Sequence, residues 1–101
     1  MASANIFQLK SKVWRYPGMA GWYFVTLPKK ESKIISDRFE ELKRGWGSLP
    51  VQVTVANTEW TTSIFPDKKA GAYLLPLKAA IRKKENITDT ATLSYTIKII
   101  L

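Results

Sequence analysis

The chain has 101 residues, 46% of them apolar and 24% charged, which is the length of one domain and the composition of a folded one. Sixteen basic residues stand against eight acidic ones, a formal charge of +8, and there is neither cysteine nor histidine. Disulfides, thiolate nucleophiles, Ser-His-Asp triads and Cys/His zinc sites are thereby excluded, and no cofactor is expected.

Met1 to Lys10 lacks the basic-then-apolar order of a secretory signal. The longest apolar run, Trp22 to Val25 with Leu27 just beyond, falls far short of a bilayer's width. A cytoplasmic protein with no membrane partner is the expectation.

The first element, Asn5 to Tyr16, reads as a strand with Phe7, Leu9 and Val13 on one face and Gln8, Lys10 and Lys12 on the other. Turn residues bound the loop from Tyr16 to Gly21. Trp22 to Leu27 follows as a strand with bulky apolar residues on both faces, the pattern of a strand covered on both sides. Pro28 suits the first position of a helix, where its missing N–H costs nothing, and Ile35, Phe39 and Leu42 recur at helical spacing. The predicted helix covers Lys29 to Leu42 and stops at Arg44-Gly-Trp-Gly47.

Val51, Val53 and Val55 alternate with Gln52 and Thr54 in a third strand. Asn57-Thr58 is the predicted turn into an antiparallel return from Glu59 to Phe65. After a turn from Pro66 to Gly71 and a short strand from Ala72 to Leu75, Pro76 is the predicted start of a second helix with Leu77, Ala80 and Ile81 inward. Asn86 suits the left-handed residue that ends it. Thr92 to Leu101 forms the last strand, with Leu93, Tyr95, Ile97 and Ile99 on one face.

The order strand, Leu-Pro, helix, strand occurs twice, at Leu27-Pro28 and at Leu75-Pro76. It is a repeat of architecture more than of residues. The predicted fold is therefore mostly β: one domain over residues 1–101, a barrel of about six strands built from two similar halves with a pseudo-twofold relation and a helix capping each end. Because both halves lie in one chain, a monomer is expected.

Five runs carry a resemblance: Trp14-Arg-Tyr-Pro-Gly18, Gly21-Trp-Tyr-Phe-Val-Thr-Leu-Pro28, Gly45-Trp-Gly-Ser-Leu-Pro-Val51, Thr62-Ser-Ile-Phe-Pro-Asp-Lys-Lys69 and Tyr73 through Lys83. In order, and over almost the whole chain, they resemble the domain-of-unknown-function family nineteen-oh-five, small bacterial and archaeal proteins. The resemblance implies a double-split β-barrel capped by helices, akin to the AbrB, MazE and MraZ domains, which build their barrel from two chains. Leu75-Pro76 through Asp89 is similar to the AbrB half-motif, with Glu85-Asn86 standing where Leu-Gly is usual. The family implies no activity, cofactor or functional residue.

The residues themselves leave an enzyme well behind a binding role. Glu40 and Glu41 lie beside Lys43 and Arg44 as a solvated face, Asp67 sits where turns favour Asp, and no glycine-rich phosphate loop is present. The cations fall into three groups: Lys10, Lys12 and Arg15 on the first strand, Lys68 and Lys69 in a turn, and Lys78, Arg82, Lys83 and Lys84 on the second helix. Each group taken alone reads first as solvated surface. Together on one face they would form a site for nucleic acid or another polyanion, which is the first functional expectation. Twelve lysines against four arginines point to phosphate contacts rather than base-edge readout. Most aromatics are expected in the core. Trp14, Tyr16 and Trp46 are the expected exceptions, forming an alternative barrel-mouth site for a small molecule or a protein partner.

Overall fold

Strands in which every second residue is apolar have one face that must leave water, and six of them satisfy one another by closing on themselves. In the computed structural model, which describes residues 4–18 and 21–101, the elements run β1 (Ile6–Arg15), β2 (Tyr23–Thr26), α1 (Lys29–Arg38), β3 (Leu49–Val55), β4 (Thr58–Asp67), β5 (Ala72–Pro76), α2 (Ala79–Lys84) and β6 (Thr92–Ile99). The strands close into a barrel in the order β1-β2-β5-β4-β3-β6, every neighbouring pair antiparallel. β1 and β4 each change partner along their length: Ile6–Lys12 pairs with β6 and Val13–Arg15 with β2, while Thr58–Ile64 pairs with β3 and Phe65–Asp67 with β5. Val13, Val25, Val53, Ile64, Leu75 and Ile97 fill the interior with essentially no exposure. Among the described residues no helix is long and apolar enough to cross a membrane.

Each helix covers one end of the barrel. Ser32 of α1 is buried, and its hydroxyl accepts the Tyr73 N–H at 3.1 Å, pinning α1 over the end where β5 and β1 begin. Arg38 at the end of α1 donates to the Ala4 carbonyl there and lies over the Phe7 ring. Asn5 ties the same end to β6, donating to the Ile99 carbonyl and accepting the Ile99 N–H. At the other end, the Leu77 N–H donates to the Tyr23 carbonyl, and Thr58, at the start of β4, donates to Glu85 behind α2. Asn86 ends α2 in the left-handed region (φ 53°). Ile87 N–H then reaches the Arg82 carbonyl and Asn86 N–H the Lys83 carbonyl, the paired bonds of a Schellman motif, with Ile87 buried behind them.

Several local expectations shift. Pro28 is not the first helical residue but the N-cap, its ψ of 142° still extended. α1 stops at Arg38, and Glu40–Leu42 is a separate 3₁₀ turn in which Leu42 is exposed. Pro76 does not open α2. It remains in β5 opposite Phe24, and the helix begins three residues later, with Ala80 exposed rather than inward. The β3–β4 turn is Ala56-Asn57, because Thr58 is a buried strand residue held by Glu85. β4 runs through Pro66 to Asp67, whose carboxylate accepts the Lys69 N–H at 3.1 Å, as a turn aspartate does. Met1 to Ser3 of the N-terminal segment, and Met19 and Ala20 of the β1–β2 loop, lie outside the described residues.

Candidate nucleic-acid interface

Strand alternation sends Lys10, Lys12 and Trp14 outward from β1, since Leu9 and Val13 are buried between them. β2 alternates likewise: Val25 faces in, so Phe24 faces out, directly opposite Trp14 in the ladder. One position further, the Tyr16 N–H donates to the Trp22 carbonyl at 2.9 Å, so these two also oppose each other. Two successive outward cross-strand positions are thus aromatic on both strands. β2 is therefore not covered on both sides, as its composition suggests. Its outer face carries this cluster into solvent.

The four rings hold one another. Trp14 and Phe24 lie 5.1 Å apart between centroids, Trp22 stacks on Phe24 at 6.0 Å and 26°, and Tyr16 meets Phe24 edge-on at 6.4 Å. Trp14 is fixed further by its Nε1–H, which donates to Thr26 Oγ1 at 3.0 Å. Trp14 and Phe24 are half-buried by their neighbours, whereas Trp22 is 50% and Tyr16 45% exposed. Rings this open on a rigid wall are costly to leave in water without a partner.

Cations continue the row of this cluster along β1 and gather at the adjoining barrel end. Lys12 and Lys10 continue the outward row of β1, opposite Thr92 and Ser94 of β6. Arg15 is the ladder partner of Tyr23, and the Arg82 guanidinium lies 3.9 Å over the same Tyr23 ring. Arg82 also donates to the Leu77 carbonyl at 3.2 Å and to the Gly21 carbonyl at 3.1 Å, so it fastens α2 to the loop end just before Trp22. Lys78 caps the start of α2 and Lys83 sits in its last turn, both exposed. Lys10 and Lys12 therefore share the outer face with the aromatic cluster, whereas Arg15 and the α2 cations gather about Tyr23, on the other face of β2 at the adjoining barrel end.

The third group does not join them. Lys68 and Lys69 lie in the β4–β5 turn, at the barrel end covered by α1. Lys68 there lines a depression of about 380 Å³ with Ser36, Asp37, Lys43 and Asp67. Its charges answer one another: Lys33 pairs with Asp37 at 3.1 Å, and Lys43 pairs with Glu40 and donates to Ser36 at 2.8 Å. The Glu40 hydrogen bond raises the Lys43 pKa, keeping that ammonium charged. Trp46 also belongs to this end, beside β4, with a left-handed φ of 65° and 93% of its surface exposed. It is thus remote from Trp14 and Tyr16.

Sequence reasoning passed over Trp22 and Phe24 as surface residues because β2 reads as apolar on both faces. The available signal was the hairpin: Trp14 and Tyr16 lie as far before the loop as Trp22 and Phe24 lie after it, so antiparallel pairing brings all four together. Among the described residues, no three carboxylates gather as a metal site would require.

A family model described as Domain of unknown function (DUF1905) matches residues 10–97. No curated protein matches the chain.

Proposed function

The chain belongs to this family of unknown function, and we propose that it is a non-catalytic domain that binds nucleic acid on the outer β1–β2 wall and the adjoining cations of α2. The observation that carries this reading is the open aromatic cluster of Trp14, Tyr16, Trp22 and Phe24 in line with Lys10 and Lys12. Nucleic acids present phosphates and flat bases together, and a surface that alternates cations with rings matches both. The chain's charge of +8 adds long-range attraction for a polyanion. It also opposes self-association through this face, which would set Lys10 and Lys12 against their own copies. On this reading the protein is a cytoplasmic monomer.

The same reading takes the barrel as double-split, with two halves related by a pseudo-twofold axis and a distant kinship to AbrB-type domains. Reciprocal hydrogen bonds support it: Leu27 N–H donates to the Tyr73 carbonyl and Leu77 N–H to the Tyr23 carbonyl, both at 2.9 Å. Each helix begins two residues after its leucine, at Lys29 and at Ala79. This relation matches Pro28 with Lys78, not with Pro76.

The test is a titration of labelled nucleic acid at two salt concentrations. Affinity falls steeply with salt, and replacing Lys10 and Lys12 together with Gln flattens the log–log slope by about 0.7–0.9 per cation removed. Replacing Lys68 and Lys69 together leaves the slope nearly unchanged. Absence of binding at low salt, where the electrostatic attraction is strongest, overturns the proposal.

A further inference from the structure

We propose that the nucleic acid taken by this wall is single-stranded, with unpaired bases stacking on the open faces of Trp22 and Tyr16 while Lys10 and Lys12 follow its phosphates; the inference rests on the binding role above and names its substrate class.

A duplex hides the flat faces of its bases, so exposed aromatic rings have nothing in it to stack on. Unpaired bases offer those faces, and every base has one, which makes the contact tolerant of sequence. The two open rings are also preorganised. Trp22 is backed by Phe24 at 6.0 Å, Phe24 by Trp14 at 5.1 Å, and Trp14 is anchored on Thr26. Tyr16 is set by its edge contact with Phe24 and by its backbone bond to Trp22. The outward residues Lys10, Lys12, Trp14 and Tyr16 succeed one another every second position, about 6–7 Å apart along β1. That single file suits one backbone.

The wall itself offers little that would read a duplex. α2 is only six residues long, and Arg82, its one guanidinium, is already committed to two carbonyls and the Tyr23 ring. Arg38 is committed to the Ala4 carbonyl and the Phe7 ring. Two of the four arginines that could fork onto base edges are thus held within the fold. Lys68 and Lys69, at the far end of the barrel, do not extend the β1 and α2 cations into a broad face for two strands.

The experiment compares three ligands on the full chain: a mixed-sequence single strand of about a dozen nucleotides, the same strand annealed to its complement, and an abasic strand of equal length. The single strand binds most tightly, the duplex and the abasic strand at least several-fold more weakly. Trp22→Ala and Tyr16→Ala each lower single-strand affinity by about fivefold or more and leave abasic binding unchanged. Trp22→Phe, which keeps a ring at the same place, retains most of the affinity, so the effect is separated from any loss of fold. Equal affinity for single strand and duplex, or for single strand and abasic strand, overturns the stacking inference and leaves the polyanion reading standing. No binding to any of the three overturns both.

Discussion

Val53 and Ile97 face each other across the β3–β6 ladder, each with no exposed surface. A carboxylate at either position has no partner and no water. The cost is several kcal/mol, against a total stability of about 5–15 kcal/mol for a domain. Val53→Asp and Ile97→Asp should therefore abolish cooperative melting, followed by circular dichroism. A soluble Val53→Asp protein with a normal transition would mean that this face does not lie in the core. Tyr95 offers a gentler probe. It is 3% exposed, its hydroxyl is 2.7 Å from Ser11 Oγ, and burial pushes its phenol up to about 12 from the ordinary 10. The folded state holds that proton more tightly than the unfolded chain does. Its contribution is complete below pH 10 and is lost as the pH rises through 12. Tyr95→Phe should cost about 1 kcal/mol at neutral pH through the lost hydrogen bond. The gap between wild type and variant in Tm should then shrink from pH 10 to pH 12. A constant gap would refute the assignment.

At the scale of elements, Trp46, Ala56, Asn86 and Thr90 hold left-handed backbone conformations that ordinary side chains resist, and two of them are informative to replace. Asn86 takes φ 53° to close the Schellman motif behind α2. Asn86→Gly should be tolerated, whereas Asn86→Val should lose about 1–2 kcal/mol, read as a lower urea midpoint at constant slope. Trp46 takes φ 65° between Gly45 and Gly47, with its indole almost entirely in solvent. No packing offsets that conformation, so Trp46→Gly should raise stability by up to about 1 kcal/mol. A loss on that substitution would show that the indole makes a stabilising contact. Prolines carry a related lesson. Pro76 stays in β5 because the ladder with β2 continues past it to the Leu77–Tyr23 bond, and local propensity for a helix start gives way to that pairing.

For the molecule as a whole, the ladder that joins β6 back to β1 closes the barrel within one chain. No second chain is needed to complete the barrel, and the charge of +8 opposes close approach. Sedimentation at micromolar concentration should give a single species near 11.5 kDa. A stable dimer would contradict the like-charge argument. Charge is also distributed by the topology rather than by the order of residues. Lys68-Lys69 and Arg82-Lys83 look equivalent along the chain, yet α1 and α2 cover opposite ends of the barrel and separate them.

The sequence by itself determined the mostly-β class, the alternating faces of β1, β3 and β6, both helices to within a few residues, and the exclusion of His and Cys chemistry. Those properties follow from periodicity and composition, which are local. Only the tertiary structure decided which face of β2 enters the barrel. The closed interior takes in Val25 and Leu27 and excludes Trp22 and Phe24. It also decided which cations meet the exposed rings. Neighbourhood around a barrel is set by strand order, and β1-β2-β5-β4-β3-β6 joins elements far apart in the chain through hydrogen bonds that no local pattern encodes.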